Sequence, residues 1–307
     1  MKGEEKFDEI LEDKISVLVE RKGLTRRDFI KFCGLMAATL GLEASFVPKI
    51  AEALTGTVRA PVVWLQFAEC TGCTEAFLRT SNPFIDDLIL DKISLDYHET
   101  VMAPAGEAAT LSLANTVSTY AGKFICFVEG AIPTANNGMY GTIGGETMLK
   151  IAKEICPKAL KVIAVGSCAC DGGLPAAAGG LTGAKGVGEA TGISTINLPG
   201  CPPNPVTMAA LIVNYLLLGK FPKLDSLGRP AFAYGQKVHE NCPRHDSHWC
   251  LKQFGCRGQS TYHNCPTAGF NDATSWCVQA DAPCFGCSEA GFWDQGTFFK
   301  FDGRYGD

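Results

Sequence analysis

The chain has 307 residues, 46% hydrophobic and 19% charged, enough to bury the core of one or two globular domains without covalent staples. A formal charge of −5 leaves no basic footprint for nucleic acid. It contains no run of about 18 uncharged apolar residues, so no transmembrane helix is expected.

The first element along the chain reads as an export leader. Thr25-Arg26-Arg27-Asp28-Phe29-Ile30-Lys31 precedes a mildly apolar run over 32–47, followed by Ala51-Glu52-Ala53. Twin arginines, a weak hydrophobic region and an A-x-A site, in that order, predict a twin-arginine signal over residues 1–53, cleaved after Ala53. The competing reading is a surface helix with an incidental arginine pair. Export by this route moves folded proteins with their cofactors in place, which suits a thiol-rich metalloprotein bound for an oxidising compartment. The expected location is the periplasm or the outer face of the cytoplasmic membrane.

From Ala60 to Gly219, short apolar runs alternate with segments of helical spacing. The runs at 62–67, 93–97, 124–129, 161–166 and 195–198 read as strands, and 145–155 and 206–218 as helices. This predicts an α/β fold over residues 58–222, a doubly wound parallel sheet with helices on both faces. Ligands in such folds collect beyond the carboxyl ends of the strands. Cys70 and Cys73 follow the first run, Cys168 the fourth and Cys201 the fifth, so three distant stretches should meet at one sheet edge. The Gly/Ala-rich stretch 172–190 lacks G-x4-G-K-[ST] and reads as loop, not as a nucleotide site.

After Pro222 the helical periodicity fades, and Cys, Gly, Pro and aromatic residues crowd together. This marks a small, irregular domain over 223–307, with too little aliphatic material to fold well alone; metal clusters would supply its cross-links. Seven of the chain's 15 cysteines lie there. C-x2-C occurs at Cys70/Cys73 and at Cys284/Cys287, beside Gly and Pro, as iron–sulfur ligands do. Cys33 leaves with the leader, Cys126 reads as a buried strand residue, and Cys156 has no cluster-like neighbour. Cys170 stays open. The other 11 cysteines, with His239 three residues before Cys242, make 12 ligands, enough for three cubanes. Structural zinc also uses C-x2-C pairs. Zinc ribbons, however, join two such knuckles within about 15–20 residues, whereas the first pair here must reach Cys168 and Cys201.

The motifs C-T-G-C-T-E, V-E-G-A-I-P, V-G-S-C-A, P-G-C-P-P-N-P, H-E-N-C-P, G-C-R-G and P-C-F-G-C-S-E occur in that order between Pro61 and Asp294. In this the chain resembles the small, electron-transferring subunit of [NiFe] hydrogenases. The resemblance implies a flavodoxin-like domain holding a proximal [4Fe–4S] cluster on Cys70, Cys73, Cys168 and Cys201. It implies a distal [4Fe–4S] cluster on His239, Cys242, Cys250 and Cys256, with imidazole replacing one thiolate and raising the potential. The loop between Cys242 and Cys250 is shorter than in many members, and contains His245 and His248. The medial cluster would take Cys265, Cys284 and Cys287. Its fourth position, a proline in many members with a three-iron cluster, is Cys277 here. Three [4Fe–4S] clusters are therefore expected, the medial one being [3Fe–4S] only if Cys277 is not a ligand.

Oxygen-tolerant members carry extra cysteines near the proximal cluster, at positions matching Gly72 and Gly173 here. An ordinary cubane and an oxygen-sensitive enzyme are expected. Glu69, Glu75 and Glu129 flank the proximal ligands and are given no catalytic role. The family places the nickel–iron centre on a large subunit, which implies an obligate heterodimer that oxidises H2 or reduces protons. This oxidoreductase subunit would pass the electrons to an external redox partner such as a cytochrome. Two rivals are an iron–sulfur subunit of a related respiratory dehydrogenase and a self-standing ferredoxin-like carrier. The cysteine-rich tail opposes the first.

Overall fold

The computed structural model describes residues 26–55, 59–80, 93–272 and 274–295. The first 25 residues of the expected leader and residues 296–307 of the expected C-terminal domain lie outside these.

Five strands form one parallel sheet: β1 (Ala60–Gln66), β2 (Ile93–His98), β3 (Ile125–Glu129), β4 (Lys161–Val165) and β5 (Thr195–Leu198). Their order is β2-β1-β3-β4-β5, the flavodoxin-like doubly wound arrangement. Strand β1 shows why the apolar runs are continuous. Val62 and Trp64 join one core with Phe77, Phe127 and Ile163, while Val63 and Leu65 join a second core with Phe124, Val128 and Ala164. A strand buried on both faces has no polar side to alternate with.

The longer helices are α1 (Arg26–Thr39), α2 (Val47–Thr55), α3 (Gly72–Leu78), α4 (Glu107–Thr119), α5 (Met148–Ile155), α6 (Gly166–Asp171) and α7 (Pro205–Leu218). Helix α7 begins with Pro205 in its first turn, and the Asn204 side chain accepts from the Val206 amide at 2.8 Å. Such a cap contributes about 1 kcal/mol. Every residue from Pro205 to Asn214 is buried. Met208, Ala209, Leu211 and Ile212 pack on the sheet, and Val206, Ala210 and Val213 pack against α1 and α2.

The helix read at 145–155 starts only at Met148, because 142–147 form a two-strand turn whose Thr147 side chain caps α5. The stretch read as loop at 172–190 holds short helices at Gly173–Ala176 and Val187–Thr191, and a strand, Ala184–Lys185, paired with Ile132–Pro133. Its small residues carry too little hydrophobic pattern to announce them.

Beyond Phe221 the backbone is irregular, around a small apolar cluster of Val238, Trp276, Val278 and Cys284. The buried Arg229 ties the start of this part to its end. Its Nε donates to Asp225 at 2.7 Å, and its Nη1 donates to Glu289 at 3.1 Å and to the Ser288 carbonyl at 3.3 Å. Among the described residues, no helix is long and apolar enough to cross a membrane.

Candidate metal centres

The first group of thiols sits at the carboxyl ends of β1, β4 and β5. Thr71 takes a left-handed conformation (φ 63°) and turns the chain into α3, which carries Cys73. Cys168 lies in α6 directly after β4, and Cys201 follows β5. Gly166 lets these loops meet: its φ is +84°, and a Cβ there would lie 2.4 Å from Cys73 Sγ. Burial holds the Cys73 thiol well above its ordinary range, reinforced by Glu129 and by Cys168, Cys201 and Cys70. Burial pushes Cys168 up to about 12, and raises Cys201, which also feels Cys70. Cys70 and Cys201 lie toward the surface, and Cys73 and Cys168 deeper; thiols gathered so closely can deprotonate together only if cations compensate them, which is the donor set an iron–sulfur cluster needs.

Glu129, the last residue of β3, is 1% exposed and organises this loop. It accepts from the amides of Cys73 (3.0 Å) and Thr74 (3.1 Å), from Thr74 Oγ1 (2.5 Å) and from Trp64 Nε1 (3.1 Å). Glu75 is exposed and faces Arg79 at 3.6 Å. Burial, with Glu129 nearby, pushes Glu69 up to about 7. A Cβ at Gly72 would lie 3.2 Å from Cys70 Sγ, and one at Gly173 2.8 Å from Cys168 Sγ, so both positions border ligand sulfurs. Cys170 instead packs with the core that holds Val63 and Leu65, its Sγ 3.5 Å from the Ala164 carbonyl. Cys126 and Cys156 are buried in the same core.

A second group lines a cavity of about 240 Å³. Cys265, Cys277, Cys284 and Cys287 share its wall with apolar residues such as Val238, Phe270 and Trp276, and Cys201 reaches it as well. Burial raises all four thiols, Cys284 to about 11 and Cys287 to about 12, and Cys265 also feels the other three. Sequence reasoning missed His263, whose Nδ1 lies 3.0 Å from Cys265 Sγ. Burial and the nearby Arg229 push its pKa down to about 4, so the ring is neutral and can offer an N–H to a Cys265 thiolate. The H-x-C spacing was the available signal.

The third group lies in the irregular region. The Cys242 amide donates to the His239 carbonyl at 3.2 Å, and the His239 amide to the Gly258 carbonyl at 2.9 Å, where Gly258 adjoins Cys256 Sγ. Cys250 leads into the turn Leu251–Phe254, which returns to Cys256 through the Cys256 amide and the Leu251 carbonyl at 3.2 Å. The His239 ring lies against His245, with centroids 4.5 Å apart, and 3.7 Å from the Asp246 carboxylate. Among the described residues, only His239, His245 and Asp246 bring three candidate ligands to within 4.8 Å of one another. Among the described residues, no trio of thiols converges to single-ion distance, as structural zinc would require.

The three groups are joined in series. Ser167, next to Cys168, donates to the Cys287 carbonyl at 2.6 Å and accepts from the Gly200 amide at 3.1 Å. On the other side, the Cys284 amide donates to Cys256 Sγ at 3.3 Å, and the Arg257 amide to the Cys284 carbonyl at 2.9 Å.

Residues 70–215 match the family NADH ubiquinone oxidoreductase, 20 Kd subunit, and residues 234–300 match the family of the C-terminal part of the NiFe/NiFeSe hydrogenase small subunit. The chain is 49% identical over 299 residues to periplasmic [NiFe] hydrogenase small subunit 1 of Nitratidesulfovibrio vulgaris, covering 91% of this chain and 94% of that one. It is 41% identical over 296 residues to the quinone-reactive Ni/Fe-hydrogenase small chain of Wolinella succinogenes, covering 90% and 84%. A solved structure of the reduced, active Ni-Fe-Se hydrogenase of Desulfomicrobium baculatum superposes with a TM-score of 0.71 at 37% identity, over 76% of this chain and 95% of that one. Identity of this degree across nearly the whole of both chains removes the ferredoxin-like carrier and the dehydrogenase subunit as rivals: the chain belongs to the small subunits of [NiFe] hydrogenases, and is an oxidoreductase subunit with iron–sulfur clusters.

Proposed function

We propose that this chain relays electrons between the nickel–iron centre of a large-subunit partner and an external redox partner through three [4Fe–4S] clusters. The proximal one is held by Cys70, Cys73, Cys168 and Cys201, the medial one by Cys265, Cys277, Cys284 and Cys287, and the distal one by His239, Cys242, Cys250 and Cys256. When bound, each cluster supplies a reversible one-electron site. The observation that carries the reading is the serial linkage of the ligand groups, Ser167 to Cys287 and Cys284 to Cys256.

The chain's own residues set the environment. Glu129 fixes the loop of Cys73 through four hydrogen bonds, and Arg229 clamps the Ser288-Glu289 segment beside Cys287. The apolar wall of the medial cavity lowers the polarity around the thiols, and a proton on His263 Nδ1 would let the ring withdraw charge from Cys265. Glycine at 72 and 173 favours an ordinary proximal cubane and an oxygen-sensitive enzyme.

The division into a leader (1–53), a flavodoxin-like domain (58–222) and a cluster domain (223–307) belongs to the same reading. Two relatives are named as periplasmic subunits, and the twin arginines fit export to that side. The electron acceptor is an external protein such as a cytochrome. Anaerobic purification through a tag on this chain should bring down a larger, nickel-containing companion, with about one nickel and roughly thirteen irons per pair, about twelve of them on this chain, and H2-dependent dye reduction. Recovery of a lone chain without nickel would overturn the heterodimer.

A further inference from the structure

Helix α7 is apolar all round, and a helix of that kind must be covered on every side. The sheet covers one face. The other is covered by α1 and α2, whose Cys33, Met36, Ile50 and Ala51 have no exposed surface. Phe29 and Phe32 complete the contact against Val206, Ala210 and Val213. The opposite side of the same two helices exposes Arg27, Lys31, Leu35 and Lys49. The segment is thus a two-faced helical hairpin seated on the core.

The expected cleavage point, after Ala53, falls inside α2, with Ala51 buried. A peptidase takes its substrate as an extended strand, so α2 has to leave α7 and unwind before it can be cut. The supporting helix is itself tied to two ligand loops. It starts four residues after Cys201, and the Asn204 side-chain amide donates to the carbonyls of Ala268 (3.4 Å) and Gly269 (3.1 Å), just after Cys265. We propose that α1 and α2 form a detachable cap on the outer face of α7, and that undocking of this cap is the event that admits processing. The proposal rests on the reading of residues 1–53 as a removable leader.

The test uses the full-length chain, purified anaerobically with its clusters, and limited trypsin digestion after the exposed Lys31 and Lys49. Met36→Asp places a charge in the buried contact and should speed cleavage after Lys49 at least tenfold over the unaltered chain. Leu35→Asp places the same charge one residue away, where the side chain is 45% exposed, and should leave the rate within twofold. Visible absorption should be the same for all three proteins. Equal rates for Met36→Asp and the unaltered chain, or equal acceleration by Leu35→Asp, would overturn the cap. A chain beginning at Leu54 should bind more of an apolar fluorescent dye than the full-length chain when both are free of the large subunit, and equal binding would count against it. N-terminal sequencing of the exported chain tests the leader separately: a chain still beginning at Met1 would end the processing half while leaving the tryptic contrast intact.

Discussion

Replacing Cys277 by Ala tests the medial cluster most directly. The Cys277 side chain lines the cavity with Cys265, Cys284 and Cys287, between the buried Trp276 and Val278. Its carbonyl accepts from the Ala282 amide at 2.9 Å, so the backbone stays anchored when the sulfur is removed. With the thiol gone, one cube corner loses its ligand. Iron should fall from about twelve to about eleven atoms per chain. The three-iron signal in electron paramagnetic resonance of the oxidised, anaerobically purified enzyme should rise from nearly none to roughly one spin per chain. Losing a thiolate also removes negative charge from the cluster and raises its potential. A rise of about 120 mV would hold an electron there roughly a hundredfold more strongly, at about 59 mV per factor of ten. Turnover with the external acceptor should slow accordingly, while hydrogen/deuterium exchange at the large subunit persists. Cys277→Ser keeps a hydroxyl ligand and should retain more of the fourth iron. An intense three-iron signal in the unaltered protein, or a Cys277→Ala variant that keeps all its iron without that signal, would refute the assignment.

Lysine at both Arg26 and Arg27 should leave an unprocessed cytoplasmic precursor on immunoblots of cell fractions; normal processing would end the leader assignment. His239→Ala should slow electron transfer to the external acceptor and spare hydrogen/deuterium exchange, and equal loss of both would make His239 an assembly residue. Gly166→Ala drives a methyl to 2.4 Å from Cys73 Sγ and should cost about four irons per chain, the proximal set, as read by iron analysis and the lost proximal signal. His98 is buried beside Trp64 and Thr74, and burial lowers its pKa from 6.5 to about 4. The unfolded chain therefore binds the extra proton first: His98 contributes stability above about pH 6.5 that is lost as pH falls toward 4. Denaturant midpoints at pH 7.5 and 5 should differ less in His98→Asn than in the unaltered chain, and an unchanged difference would exclude this cause.

Much of the architecture is readable in the chain before folding. The sheet strands appear as short apolar runs, most continuous in the inner strands β1, β3 and β4, because a parallel strand covered on both faces has no polar side to present; the edge strand β2 keeps Ser94 and Asp96. The motifs around Cys70, Cys201 and Cys284 carry their chemistry locally, since short spacings beside Gly and Pro are what place several sulfurs on one cluster. The glycine-rich 172–190 region defeats the same reading, because small side chains leave no periodic pattern.

Tertiary structure alone decides which distant groups meet. Cys170, two residues from a proximal ligand, turns into the core, and His263 comes to lie against Cys265. Nothing near Glu129 in the chain announces that it gathers the amides of Cys73 and Thr74, more than fifty residues away. Likewise, nothing local signals the bond from Ser167 to Cys287, or the seating of Met36 and Ile50 on α7. A local pattern reports how a segment satisfies its own backbone and which face it buries. It carries no record of the surface that covers that face, and at this chain's candidate metal centres that pairing is what sets the chemistry.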